Sequence, residues 1–199
     1  MLSNSNVNTV PHYLLSSVME REVHENSLNE HFKNYSELVL KPTRGSRGEG
    51  IARVSNSKDS LNHINNNFYV SWAASPFINI QREIRLVILE QSILIAYEKY
   101  DPVIINGLKM YNLNLGAKAK KISLNDVDNS HIELAKNAMK TIGLKLGAVD
   151  IIVNEQDDAS VLEINSAFSL EHFALSTPED RLTVLNFYED VIEHLFVDA

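Results

Sequence analysis

Two stretches of this 199-residue chain place residues where they could do chemistry. The first runs from Leu38 to Val54, two apolar segments joined by Lys41-Pro42-Thr43-Arg44-Gly45-Ser46-Arg47-Gly48-Glu49-Gly50. Glycines let a loop turn its backbone N–H groups toward an anion, and a lysine at the end of the first segment adds a point charge. Such a loop can wrap a polyphosphate. An ordinary hairpin with a glycine-rich turn carries the same letters. Lys41, Arg44, Arg47 and Arg53 gather positive charge around the loop in a chain whose formal net charge is −8, and a triphosphate site accounts for both the charge and the glycines.

The second stretch is Val149 to Asn165, two β-rich runs flanking the acidic turn Glu155-Gln156-Asp157-Asp158. With those four residues as the loop, Asn154 faces Ala159 and Asp150 faces Glu163. Side chains alternate along a strand, so Glu163 and Asn165 share a face and Asp150 joins them from across the pair. Like charges placed opposite each other are destabilising, and a cation between them resolves the conflict. Oxygen ligands without cysteine or histidine suit magnesium or manganese. The other reading puts these acids on the solvated face of a half-exposed sheet.

Together the two stretches resemble the ATP-grasp superfamily, most closely its RimK-type branch of amino-acid and peptide ligases, from about Val10 to Phe173. The resemblance implies an α+β fold of two lobes with ATP between them, the larger an antiparallel sheet with helices. Lys41 with Gly45, Ser46, Arg47, Gly48 and Gly50 would then hold the ATP phosphates. Pro76, Phe77 and Ile78 fall on the segment whose backbone takes the adenine, with Pro76 where an acidic residue is usual. Glu83-Ile84-Arg85 is similar to the family's Asp-x-Arg, which brings Arg85 near the transferred phosphate, and Lys99 also faces the phosphates. Tyr111 to Gly116 resembles an acceptor-side segment that includes Asn112, with Leu115 in place of its arginine. Asp150, Glu163 and Asn165 fall on the family's ligands for Mg2+ or Mn2+. Phe168-Ser169 replaces the Pro-Gly usual after them.

The activity implied is an ATP- and magnesium-dependent carboxylate–amine ligase acting through an acyl phosphate. No residue before Val10 supplies the separate α/β domain with which such ligases begin, nor its extra phosphate-binding lysine. The alternative is therefore a nucleotide-binding module or subunit, completed by a second copy or a companion chain. The expected division is 1–36 as a helical segment, 37–78 as the small lobe and 79–199 as the large one.

Composition agrees with a globular protein, at 44% hydrophobic and 22% charged residues. The acidic balance argues against a nucleic-acid partner, which needs a basic footprint. No apolar run reaches membrane-spanning length, no signal peptide is evident, and with no cysteine a cytoplasmic location is expected. Helix is expected over 12–35, a loop over 62–67, and strands near 38–40, 50–54 and 68–73. Two further strands are expected within 82–98, turning near Glu90-Gln91-Ser92. Ser130 with Glu133 reads as a capping box opening a helix that stops at Gly143. Thr177-Pro178 opens a last helix with Leu182, Leu185, Phe187, Val191 and Leu195 at helical spacing. Trp72 reads as core, and the scattered histidines offer no metal spacing.

Overall fold

The computed structural model describes residues 2, 7–16, 21–44, 48–67 and 71–196. The chain opens with β1 (Tyr13–Ser16), α1 (Arg21–Asn34), β2 (Leu38–Pro42), β3 (Ala52–Val54), α2 (Ser57–Asn65) and β4 (Ser71–Pro76). A long hairpin of β5 (Ile80–Leu89) and β6 (Ser92–Tyr100) follows, then a short one of β7 (Val103–Ile105) and β8 (Leu108–Met110). After β9 (Lys118–Lys121) and α3 (Asn129–Ile142) comes a third hairpin, β10 (Leu146–Asn154) and β11 (Ala159–Asn165), and then α4 (Glu171–Ala174) and α5 (Pro178–Phe196). Every pairing within the two larger sheets is antiparallel, so the fold is α+β.

The chain divides into two compact units. One comprises Met1–Thr9, Ile80–Val103 and Tyr111–Ala199; the other comprises Val10–Asn79 and Ile104–Met110. The first holds a five-stranded sheet in the order β11-β10-β5-β6-β9. Its aliphatic strands bury both faces, as central strands do. Ile84, Leu86, Ile88, Val149, Ile151 and Val161 pack toward Ala135, Ala138 and Met139 of α3. On the opposite face Val87, Ile95, Tyr97 and Ala148 meet Phe173 of α4 with Val184 and Phe187 of α5.

The second unit holds a four-stranded sheet in the order β1-β4-β2-β3. Leu15, Leu38, Leu40, Ala52, Val54, Trp72 and Ala74 point to one side, where Leu28 of α1 and Leu61 of α2 cover them. Trp72 is core, as expected, at 1% exposure.

Several local expectations give way to tertiary context. Tyr13–Ser16 is a strand on β4, not a helix, with Leu14 exposed and Leu15 buried in the period-2 manner of an edge. The asparagine-rich stretch begins inside α2, which Asn56 caps through its side chain. The 1–36 segment is not separate, since Val10 onward belongs with β2–β4 and Met1–Thr9 with the other unit. Asp128, not Ser130, caps α3, its carboxylate accepting from the Ser130 N–H at 2.7 Å, while Gly143 closes the helix at φ +71 as expected. Of the strand expected over 68–73, residues 68–70 lie outside the described residues and β4 starts at Ser71. On α5, Leu182 and Leu185 are exposed, and Val184 and Phe187 form the buried stripe.

Candidate active site

The register of the large sheet assembles a charged cluster on the face that α4 and α5 cover elsewhere. Glu83 pairs with Lys99 and Arg85 with Tyr97 across β5 and β6, while Asp150 on β10 lies between Arg85 and Glu163 of β11. Arg85 donates Nε and Nη2 to the two oxygens of Asp150, both at 2.6 Å, in a bidentate fork. Lys99 Nζ donates to Asp150 Oδ2 at 3.0 Å and also to Glu83. Asp150 is 1% exposed and Glu83 and Lys99 are 5% exposed each.

Burial works against every charge here, and pairing decides the outcome. For Asp150 the cost of burial is outweighed by Lys99 and Arg85, which hold the carboxyl below its usual range. The same burial would lower Arg85, but its hydrogen bonds to Asp150 leave it raised. Lys99 is likewise raised, because Glu83 and Asp150 overcome desolvation. Glu83 goes the other way: burial pushes its carboxyl up, and Lys99 offsets only part. Arg85 and Lys99 thus sit as a quartet with the carboxyl groups of Asp150 and Glu83. Tyr97, stacked on Phe173 at 4.6 Å between ring centroids, walls one side, and burial pushes its phenol up.

Asp150, Glu163 and Asn165 share this face. Asn165 stands opposite Ala148, two residues along β10 from Asp150, and its amide donates to Glu163 Oε1 at 3.0 Å. The turn takes one residue more than the sequence count allowed, so Val153 rather than Asn154 faces Ala159. A bulge at Asp150/Ile151, with Leu162 as the extra residue, restores the Asp150–Glu163 pairing. A carboxylate offers about four lone-pair positions, and Arg85 and Lys99 take three at Asp150, leaving one for a cation. Two carboxylates and an amide therefore fit a hard divalent ion by type and placement. Among the described residues no three His, Cys, Asp or Glu converge into a metal-holding group.

The second unit carries the other predicted residues. The face of its sheet opposite the core presents Lys41, Val39, Arg53, Ala73 and Ser75, which register places side by side. Gly48 and Gly50 have φ of +78 and +72, a backbone other residues rarely adopt, and Nε2 of His63 on α2 lies 2.9 Å from the Gly50 carbonyl oxygen. Gly45, Ser46 and Arg47 lie outside the described residues. Pro76 ends β4 opposite Leu38, and Phe77 donates its N–H to the Glu37 carbonyl at 3.0 Å. Arg53, one of the cations the sequence gathered around the loop, is engaged by a carboxylate of its own unit. It is bidentate on the Glu37 carboxylate, with Nε to Oε1 at 2.7 Å, and its guanidinium lies 3.7 Å from the Phe77 ring centroid. Asn112, in the first unit, precedes a 3-10 turn at Leu113–Leu115 and makes no side-chain capping bond. Tyr97 is a member of the cluster that the sequence did not single out, and Glu83, noted there only as the start of the Glu83-Ile84-Arg85 segment, was given no role. The signal for Glu83 was its place two residues from Arg85, on the same face of an otherwise aliphatic strand.

Comparison with solved structures identifies the fold. The chain superposes on D-cycloserine synthetase DcsG with a TM-score of 0.71 over 95% of this chain and 67% of that one, at 17% identity. It superposes on the ATP-grasp ligase PsnB, complexed with a phosphomimetic precursor variant, Mg and ADP, with a TM-score of 0.64 at 12% identity, covering 92% of this chain and 55% of that one. The fold is ATP-grasp. Residues 6–181 match the RimK-like ATP-grasp domain, and the chain belongs to that family. Among its relatives, the tetrahydromethanopterin:alpha-L-glutamate ligase of Methanocaldococcus jannaschii is 32% identical over 142 residues, 66% of this chain and 46% of that protein. A probable alpha-L-glutamate ligase of Legionella pneumophila (strain Paris) is 25% identical over 169 residues, 83% of this chain and 52% of that protein. The chain spans about half the length of these relatives.

Proposed function

We propose that the chain is the nucleotide-binding and catalytic part of an ATP- and Mg2+-dependent carboxylate–amine ligase. In the reaction, a carboxylate oxygen attacks the γ-phosphorus of ATP and ADP leaves. An amine then attacks the acyl carbon, releasing phosphate and a proton and forming the amide. The observation that carries this reading is the Glu83–Lys99–Asp150–Arg85 quartet beside Glu163 and Asn165 on one face of the sheet.

Lys41 and the Gly45–Gly50 loop bind the triphosphate, the loop through backbone N–H groups and the lysine as a point charge. Pro76, Phe77 and Ile78 take the adenine. Since proline lacks an N–H and that of Phe77 is engaged by Glu37, Ile78 is the donor of this segment. Asp150, Glu163 and Asn165 would hold Mg2+, which supplies charge neutralisation on the phosphates. Arg85 and Lys99, already ionised and ordered by Asp150 and Glu83, stabilise charge on the transferred phosphoryl group without reorganising first. Asn112 contributes on the acceptor side. The names of the relatives point to glutamate as an amine donor to test first.

The test is ADP and amide formation by the purified chain with ATP, Mg2+ and a panel of carboxylates, each paired with glutamate or another amino acid. Amide formed in step with ADP supports the ligase. ATP bound without amide, restored when a second chain is added, supports the module that a companion completes. No ATP binding in the presence of Mg2+ contradicts both.

A further inference from the structure

Phe77 is held twice by one ion pair. Its N–H donates to the carbonyl of Glu37, and the Glu37 carboxylate fastens Arg53, whose guanidinium lies over the Phe77 ring at 3.7 Å. Arg53 makes a further bond from Nη1 to the carbonyl of Gly107 at 3.3 Å. Gly107 (φ +75) and Asn106 (φ +51) form the two-residue turn of the β7–β8 hairpin, so this carbonyl is presented by a rigid, left-handed turn. Three segments distant in sequence, the entry to β2, the exit from β4 and the hairpin tip, therefore meet at one guanidinium. Its planar fork and its cation–π stacking use separate surfaces of the group, which lysine cannot reproduce. The pair is about one-third exposed on each side, and the Glu37 carboxyl is held below its usual range by the hydrogen bond from Arg53.

We propose that Arg53 is a positioning residue for base recognition: clamped by Glu37 and Gly107, it fixes the orientation of Phe77 and hence of the adenine-binding segment Pro76–Ile78. This rests on the nucleotide reading above and extends it, because a basic residue beside a glycine loop is assigned to the base rather than to the phosphates.

Calorimetric binding of ATP and of inorganic tripolyphosphate, both with Mg2+, separates the two roles. Arg53→Met is expected to weaken ATP binding about tenfold while leaving tripolyphosphate binding within about twofold of the wild type. Glu37→Gln, which keeps the shape of the clamp and removes its charge, should show the same pattern to a smaller degree, and it carries the test if Arg53→Met does not fold. Equal weakening of both ligands marks a phosphate contact and overturns the proposal, as does unchanged ATP binding in both variants. Failure of the wild type to bind ATP contradicts the nucleotide reading itself, so the two failures are distinguishable.

Discussion

At Asp150 one carboxylate accepts twice from Arg85 and once from Lys99 while almost wholly shielded from water. Removing one partner of a buried ion pair leaves an uncompensated charge, which costs about 3–5 kcal/mol. Asp150→Asn should lower unfolding free energy by that amount in urea, whereas Arg85→Lys, which keeps the charge and loses the fork, should cost less. The advantage of wild type over Asp150→Asn has a predictable pH dependence. Because the folded carboxyl is held below its unfolded value, its contribution is complete above about pH 4 and fades as pH falls further. A gap between the two proteins that stays constant from neutrality to pH 2 would contradict the pairing. Asp150, Glu163 and Asn165 were legible in the sequence because polar groups interrupted the aliphatic strands of one hairpin, and Arg85 through the resemblance of Glu83-Ile84-Arg85 to Asp-x-Arg. The partners of Arg53 were not legible, since nothing near it in sequence revealed Glu37 and Phe77.

The β10–β11 hairpin sets the candidate metal ligands, and Gly147 governs how closely it packs. A Cβ at Gly147 would meet Met139 Cε at 2.9 Å and the Asn165 carbonyl oxygen at 3.3 Å. Gly147→Ala should therefore cost about 1–3 kcal/mol, and by displacing Asn165 it should also weaken Mg2+-dependent nucleotide binding. Melting and calorimetry on the same variant check both halves. On α5, Phe187→Ala should cost about 3–5 kcal/mol, while Leu182→Asp should stay within about 0.5 kcal/mol, measured by urea unfolding. Periodicity found this helix and part of its buried stripe, Phe187 and Val191, but placed Leu182 and Leu185 there too, because apolar residues lie on both sides of the helix. The same limit made Tyr13–Ser16 look helical: its strand character comes from pairing with β4, a contact distant in sequence. Strong local signals carried through, among them the turn between β5 and β6 and the Gly143 stop.

In the whole molecule the chain passes between its two units four times, at 9/10, 79/80, 103/104 and 110/111. The two-part α+β organisation is legible in the sequence, but the interleaving of its segments is not, since hydrophobic patterning shows what is buried and not which unit buries it. In the proposed reading, the glycine loop and adenine segment come from one unit and the charged quartet with Glu163 and Asn165 from the other. The most direct measurement is calorimetric titration of ATP, with and without Mg2+, into the wild type and Glu163→Ala, with urea unfolding of each. Mg2+ is expected to strengthen ATP binding to the wild type, and Glu163→Ala to lose this gain while its stability changes by less than about 1 kcal/mol. Mg2+-dependent ATP affinity that is the same in the two proteins would contradict this expectation.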